Sequence, residues 1–207
     1  MLSIALPKGR IAEETLDIFE SIFNKKFIFE DRKLILETDG FRFLLVRNQD
    51  VPSYVLHQAA DIGVVGLDVL EEKEQDLIRL LDLGIGKCKV CVGMQNGKEL
   101  DYSLPEIRVA TKMENIAQKH FSSKAMGVKI IKLYGSIELA PLVGLSDAIV
   151  DIVETGTTMK QNGLKVVETI MESSAYLISN KNSFIEKKGE IISLYEKISN
   201  IIDKRTI

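Results

Sequence analysis

The side chains best suited to chemistry stand in one stretch, residues 147–163, which reads DAIVDIVETGTTMKQNG. An apolar run to Val153 gives way to Glu154-Thr155-Gly156-Thr157-Thr158, and a helical pattern begins after it. This reads as a buried strand, a turn and a helix start. Such a junction presents backbone N–H groups and hydroxyls where the helix dipole favours an anion. Gly156 lets the backbone turn and approach a phosphate closely. Thr155, Thr157 and Thr158 can add side-chain donors. Asp151 cannot bind phosphate, but it can accept hydrogen bonds from sugar hydroxyls. Acidic residues such as Asp151 and Glu154 beside a T-G-T-T cradle are what a ribose 5-phosphate site needs. By itself the segment reads almost as well as a strand–turn–helix in which a threonine caps the helix.

A second candidate is Pro7-Lys8-Gly9-Arg10, between the first apolar run and the first helical pattern. Two cations and a glycine there could hold a pyrophosphate, or could be a solvated charge cluster. Arg32 in EDRKLIL, Arg47 in LVRNQDVP and Asp68 in VGLDVL are isolated candidates that also suit surface or capping roles. Glu138 in GSIELAP sits early in a helical pattern, where a carboxylate favours the dipole without any further role. Neither His57 nor His120 has the neighbours that covalent catalysis needs, and neither GxxxxGK[ST] nor GxGxxG occurs. That fits a direct displacement on a donor carrying its own leaving group. Cys88 and Cys91 have C-x-x-C spacing but lie in a strand-like run, where period 2 puts them on opposite faces. They read as two reduced structural thiols.

These residues must be held by alternating strands and helices. Strand patterns fall at 2–6, 27–30, 33–37, 41–46, 61–66, 77–83, 87–94, 106–111, 128–133 and 147–153, with a long β-like run over 164–179. Helical patterns follow Arg10, run from an Asp50 N-cap to about Ala60, and recur over 67–74, 114–122, 137–143 and 158–162. A last one covers 183–204, with Ile191, Leu194, Ile198, Ile201 and Ile202 at helical spacing. Asp39-Gly40 is a turn signal. The alternation predicts α/β layers with a largely parallel sheet. The polar stretch 95–105 suggests two lobes, and ligands of open α/β sheets bind at the carboxyl ends of strands. A cleft between the lobes is therefore the expected site.

The 207 residues are 45% hydrophobic and 28% charged, ordinary for a globular chain able to bury a core. A formal charge of −3 gives no global pull toward nucleic acid or an anionic membrane. No run approaches the roughly 20 apolar residues of a membrane span, and MLSIALPKGR lacks the basic region of a signal peptide. A cytoplasmic location is expected.

Glu138, Gly144, Ser146, Ile149, Asp151, Ile152, Thr155, Gly156, Thr158 and Met159 stand at the spacing of a long signature, ELAPLVGLSDAIVDIVETGTTM. In it the chain resembles the ATP phosphoribosyltransferase family. The likeness extends through LPKGRI, through residues 47–72 and through RVATK at 108–112. It implies two lobes resembling type II periplasmic binding proteins, with the active site in the inter-lobe cleft. The lobes would be 1–101 with 178–207, and 102–177 carrying the phosphoribosyl-binding loop. It implies transfer of the phosphoribosyl group of phosphoribosyl pyrophosphate to N1 of the ATP adenine, with Mg²⁺ on the departing pyrophosphate, as the first step of histidine biosynthesis.

Under the resemblance, Thr155–Thr158 take the 5-phosphate, with Glu154 beside them. Asp151 and Glu138 take the ribose hydroxyls or the nearby metal, whose protein ligands stay unspecified. Lys8, Gly9, Arg10 and Arg32 suit the departing pyrophosphate, and Arg47 and Asp68 suit ATP or pyrophosphate. The sequence ends at Ile207, directly after the last helical pattern, where long members of the family carry a regulatory domain. The chain thus resembles the short form. That form is expected as a homodimer and as a hetero-octamer with a regulatory subunit resembling the catalytic domain of histidyl-tRNA synthetase. A non-catalytic solute-binding protein would share the fold, since fold does not fix function.

Overall fold

The computed structural model describes residues 1–38 and 40–206, with all of their side chains except those of Arg205 and Thr206. The elements run β1 (Leu2–Pro7), α1 (Arg10–Phe23), β2 (Ile35–Thr38), β3 (Phe41–Val46), a 3₁₀ turn (Asn48–Asp50), α2 (Val51–Leu56), β4 (Ile62–Gly66), α3 (Leu67–Lys73) and β5 (Ile78–Asp82). They continue with β6 (Cys88–Gln95), β7 (Glu106–Thr111), α4 (Glu114–Ser123), β8 (Gly127–Lys132), α5 (Leu139–Leu142), β9 (Ala148–Val153) and α6 (Thr157–Gln161). The last four are β10 (Leu164–Ser173), β11 (Ala175–Ser179), α7 (Lys181–Glu186) and α8 (Lys188–Thr206).

Two compact units result, Met1–Gly86 with Ser174–Ile207, and Lys87–Ser173. The first is built on a six-stranded sheet ordered β2-β3-β1-β4-β11-β5, the second on a five-stranded sheet ordered β10-β6-β9-β7-β8. In the first, β1 runs parallel to β3 and β4, while β2 and β11 are antiparallel to their neighbours. In the second, β7 is parallel to β8 and β9, and β6 and β10 are antiparallel. The sheets are thus mixed, where alternation alone suggested largely parallel ones. Strands β6 and β11 each follow another strand directly, with no crossover helix between them to force a parallel pairing, and β10 follows only the five-residue α6.

Both faces of each sheet are covered. In the first unit Leu2, Ile4 and Leu6 of β1 pack with α1 and α8, and Ala5 packs on the other side with Val51, Val55 and Val69 of α2 and α3. In the second, Val109, Ala148 and Val150 pack against Ile116, Ala117 and Phe121 of α4. On its opposite face Ala110, Ile149, Ala140 and Met159 form a smaller core.

Several elements differ from their sequence patterns. Residues 27–30 form no strand. Phe27 instead packs its ring 5.9 Å from Phe19 and 5.4 Å from Phe43, so aromatic burial wins over a ladder. The helix expected to reach Ala60 ends at Leu56, and Gln58 takes φ 60° in the turn that follows. Asp50 precedes that helix but makes no side-chain cap bond. The 137–143 pattern yields only the four residues of α5, with Pro141 unable to donate and Gly144 in the left-handed region closing it. The run 164–179 divides at Ser174, where the chain leaves one sheet and enters the other. The 183–204 helix is two helices, the first capped by Asn180, whose Oδ1 accepts from the Ser183 N–H at 2.8 Å. Of the Asp39-Gly40 turn, Asp39 lies outside the described residues, and Gly40 sits in a turn at φ 82°.

A buried polar knot fastens the C-terminal helices to the first sheet. Asp61, 7% exposed, accepts from the Ser3 N–H and hydroxyl at 2.7 Å each, from Ser183 Oγ at 3.0 Å and from Lys187 Nζ at 2.8 Å. Burial pushes the Asp61 carboxyl up, but Lys187, Ser3 and Ser183 together bring it below the usual carboxylate range. Among the described residues, no helix is long and apolar enough to cross a membrane.

Candidate active site

The second unit carries a cavity of about 280 Å³ at the carboxyl end of β9. Strand β9 lies between β6 and β7, with Cys91 opposite Asp151 and Thr111 opposite Val150. Alternation puts Ile149, Asp151 and Val153 on one face. Ile149 and Val153 lie in the smaller core, with Met159, while Asp151 is half-buried beyond them at the cavity.

The chain then turns at Gly156, which has φ 76° and ψ 0° and is the residue before α6. Thr155 and Thr157 place their hydroxyl oxygens 2.9 Å apart, and the Thr157 N–H points at Thr155 Oγ1 from 3.4 Å. The N-cap residue of α6 is Gly156, which has no side chain to cap with, and the long Thr155 contact to the Thr157 N–H is the one side-chain bond to a backbone N–H described at this helix start. Helix α6 spans five residues, too short for a sizeable macrodipole. The anion-favouring feature is instead the set of backbone amides around a left-handed glycine, with hydroxyls beside them. Met159, 4% exposed, pins the start of α6 to the sheet.

The cavity brings Glu138, Asp151, Glu154, Thr155, Gly156, Thr157 and Thr158 together. Glu138 enters from the residue before α5, beside the buried Ile137. One partner of Asp151 escaped the sequence reading. Lys112 Nζ stands 3.4 Å from Asp151 Oδ1. Its signals were its place in RVATK and just after the 106–111 strand pattern, and neither carries the register that brings it to Asp151.

Asp147, at the other end of the same strand segment, serves the fold. Arg108 grips it with Nη2 at 2.7 Å and Nε at 3.1 Å. That fork holds the Asp147 carboxyl below its usual range against some burial.

In the first unit, topology gathers the other candidates at one sheet edge. Pro7 at the end of β1 lies opposite Val46 at the end of β3, and β4 runs parallel beside them. Lys8, Gly9 and Arg10 follow β1, Arg47 follows β3, and Asp68 follows β4 in the first turn of α3. Arg32 precedes β2, which is antiparallel to β3 and so begins at that edge. Gly9 has φ 98° before α1. Lys8, Arg10, Arg32 and Arg47 are exposed, whereas Asp68 is 3% exposed. Arg10 Nε is 3.5 Å from Glu14 Oε1, and Glu14 Oε2 accepts from the Gly86 N–H at 3.0 Å. Arg32 has φ 60° in a turn closed by the Lys33 N–H on the Glu30 carbonyl. A positive φ on a long, non-glycine side chain is uncommon and costs free energy.

The remaining reactive side chains are occupied elsewhere. Cys91 is buried, with its sulfur 3.7 Å from Thr169 Oγ1, and Cys88 is half-buried; neither is in a disulfide. His120 Nε2 lies 3.3 Å from Glu168 Oε2, in a cluster with Lys124 and Tyr102. Burial pushes the His120 imidazole down more than the Glu168 carboxylate raises it. Among the described residues, no group of three or more His, Cys, Asp or Glu could hold a metal by itself.

Comparison with known proteins bears on what this arrangement is for. Residues 47–200 match the family model HisG, described as ATP phosphoribosyltransferase. The chain is 70% identical over 205 residues to the ATP phosphoribosyltransferase of Wolinella succinogenes, spanning 99% of this chain and 100% of that one. Among solved structures it is similar to the ATP phosphoribosyl transferase (HisG:HisZ) complex from Thermotoga maritima, with TM-score 0.86, 36% identity, and 99% and 100% of the two chains covered. It is also similar to the periplasmic aliphatic sulphonate binding protein SsuA from Escherichia coli, with TM-score 0.63 and 11% identity over 97% of this chain and 68% of that one. At that identity the likeness concerns fold alone. The fold is the two-lobed α/β type of periplasmic binding proteins, as the sequence led us to expect.

Proposed function

The chain belongs to the ATP phosphoribosyltransferase family, and on that premise we propose how its residues divide the work of the transfer. The reaction opens histidine biosynthesis. Adenine N1 of ATP attacks the anomeric carbon of phosphoribosyl pyrophosphate, a C–N bond forms, and the C–O bond to pyrophosphate breaks with its electron pair leaving on the pyrophosphate. A solute-binding role without catalysis is not favoured at 70% identity along the whole chain.

Adenine N1 carries a free lone pair, so attack needs no general base. Catalysis rests on alignment and on stabilising the charge that separates in an oxocarbenium-like transition state. Thr155, Gly156, Thr157 and Thr158 bind the 5-phosphate through amides and hydroxyls. Asp151 and Glu138 accept from the ribose hydroxyls, and Glu154 borders the same pocket. Arg10 and Arg32, with Lys8 and Gly9, take the departing pyrophosphate. A guanidinium suits that task because its planar fork grips two oxygens and stays charged. Arg47 and Asp68 contribute to ATP or pyrophosphate binding. The observation that carries this reading is the cavity itself, where acids and threonine hydroxyls surround a left-handed Gly156.

Mg²⁺ suits these residues. The cavity offers carboxylates in a number and kind that fit an ion held by one or two acids and by substrate phosphates. When bound, it would neutralise charge on the pyrophosphate. We further propose a homodimer, and a hetero-octamer with a histidyl-tRNA-synthetase-like regulatory subunit, in the cytoplasm. The Thermotoga maritima structure, a HisG:HisZ complex, supports a hetero-oligomer.

The test is to mix the chain with ATP, phosphoribosyl pyrophosphate and Mg²⁺, with and without the regulatory subunit, and to follow the new ultraviolet absorbance of the N1-alkylated adenine. Product formation is expected. Ligand binding without product under both conditions would return the solute-binding reading.

A further inference from the structure

We propose that Lys112 is a positioning residue for the phosphoribosyl donor: it fixes the Asp151 carboxylate so that Oδ2 faces the sugar, and it brings positive charge to an acid-lined cavity. The inference rests on the phosphoribosyl reading of that cavity.

The backbone beneath Lys112 is held firmly. Thr111 is fully buried, donates its hydroxyl to the Val150 carbonyl at 2.7 Å, and accepts from the Met113 N–H at 2.9 Å. Thr111 pairs with Val150 across the parallel β7–β9 ladder, so the next residues, Lys112 and Asp151, come level on the cavity face. Lys112 Nζ is 3.4 Å from Asp151 Oδ1, with the lysine side chain 35% exposed and the aspartate 14%.

The bonds on Asp151 are lopsided. Its Oδ1 accepts from the Ile152 N–H at 2.8 Å and faces Lys112, so both contacts fall on one oxygen. Among the described residues no bond to Oδ2 is formed. A carboxylate held this way is oriented: one oxygen is engaged, and the second is left to accept from a hydroxyl at the cavity. Preset acceptors lose less freedom on binding than mobile ones.

Charge argues in the same direction. Glu138, Asp151 and Glu154 line a pocket whose ligand carries phosphates. Like charges at close range oppose binding unless a cation stands nearby. Lys112 supplies one from the wall behind Asp151, where it need not touch the ligand. A surface staple is the rival explanation. At 3.4 Å, and with the lysine side chain 35% exposed, this pair is expected to contribute little to stability, and thermal melts separate a loss of fold from an effect on the site.

The test uses the full chain, under the condition in which wild type turns over, with Lys112→Met, Lys112→Arg, Asp151→Asn and the Lys112→Met/Asp151→Asn pair. Initial rates are measured with each substrate varied, and thermal melts are recorded. Lys112→Met is expected to raise KM for phosphoribosyl pyrophosphate about tenfold, corresponding to one lost charge-assisted contact. KM for ATP and the melting temperature should stay near wild type. Lys112→Arg, which keeps the charge, should recover most of the loss. The double variant should lose little more than Asp151→Asn alone, because the two residues act as a unit. An active wild type with unchanged donor KM in Lys112→Met, equal losses for both substrates, or additive losses in the double variant would overturn this inference alone. A wild type without product would overturn the functional reading and this inference with it.

Discussion

Met159 fills the space that a side chain on Gly93 would need: a Cβ there would lie 3.1 Å from the Met159 sulfur and 3.0 Å from Ile149 Cγ1. Strand β6 thus omits a side chain where the threonine loop is pinned to the sheet. Because Met159 follows Thr158 directly, the anchor under the loop and the cradle above it are one piece of chain.

Gly93→Ala should therefore disturb the cradle more than the fold. Methionine is flexible, and it can yield by lifting the first turn of α6. A destabilisation of about 1 kcal/mol is expected, lowering the melting temperature by roughly 2–4 °C in a chain of this size. KM for phosphoribosyl pyrophosphate should rise several-fold, measured by initial rates. A lowered melting temperature with unchanged donor KM would show that Met159 merely fills core.

Gly156→Ala probes the turn itself. The added methyl meets only Val153 Cγ1, at 3.8 Å, so space is not the obstacle. The conformation is: at φ 76° a side chain costs about 1–2 kcal/mol. The variant can relieve that cost by leaving the left-handed region, which withdraws the amides from the phosphate. Donor affinity is expected to fall about tenfold while ATP affinity holds, as isothermal titration would report.

How far the sequence revealed this site follows from such residues. The strand–turn–helix around Thr155–Thr158 was legible because its signals are local: an apolar run, a glycine, a cluster of hydroxyls. The partnership of Lys112 with Asp151 was not, since it depends on the register of two strands separated by a helix, a third strand and α5. Alternation foretold two α/β lobes, yet it could not show that the apolar run 164–179 changes sheets at Ser174. The polar Glu172-Ser173-Ser174 interrupts the run there, but such a break does not say that the chain changes sheets; in the structure the Ser174 hydroxyl reaches Asp82 and its carbonyl accepts from the Leu67 N–H. The segment 27–30 misled for a related reason. Its alternation is that of a strand, and only the aromatic cluster of Phe19, Phe23, Phe41 and Phe43 reveals what Phe27 prefers.

Arg10 and Arg32 come from the unit that does not hold the threonine loop, and their role is tested by how their loss divides between rate and binding. If they stabilise departing pyrophosphate, they act chiefly in the transition state. Arg10→Ala and Arg32→Ala should lower kcat by tenfold or more, about 1.4 kcal/mol each, while ATP affinity falls less. Rapid-mix kinetics with separate ATP titrations would check this. Near-normal turnover in both variants would remove them from the reaction.

The Asp61 knot gives the last prediction, on stability and acid. The Asp61 carboxyl sits below its ordinary range in the folded chain, because Lys187, Ser3 and Ser183 outweigh burial. A group whose folded pKa is depressed stabilises the fold above its unfolded pKa, and that contribution fades as pH falls through the folded one. Asp61→Asn keeps the shape but loses the charge facing Lys187 and turns donors toward the Ser3 amide. Breaking a buried pair costs about 3–5 kcal/mol. Lys187 is 31% exposed and can rehydrate, so about 2 kcal/mol is the expected loss at neutral pH. Denaturant titrations from pH 7 down to about pH 2 should show wild type losing stability as pH falls below the unfolded carboxylate value of about 4. The variant, already lacking that contribution, should lose less, so the two curves converge in acid. Parallel curves would mean that Asp61 is bound for its hydrogen bonds alone and that its charge does not hold α7 and α8 to the sheet.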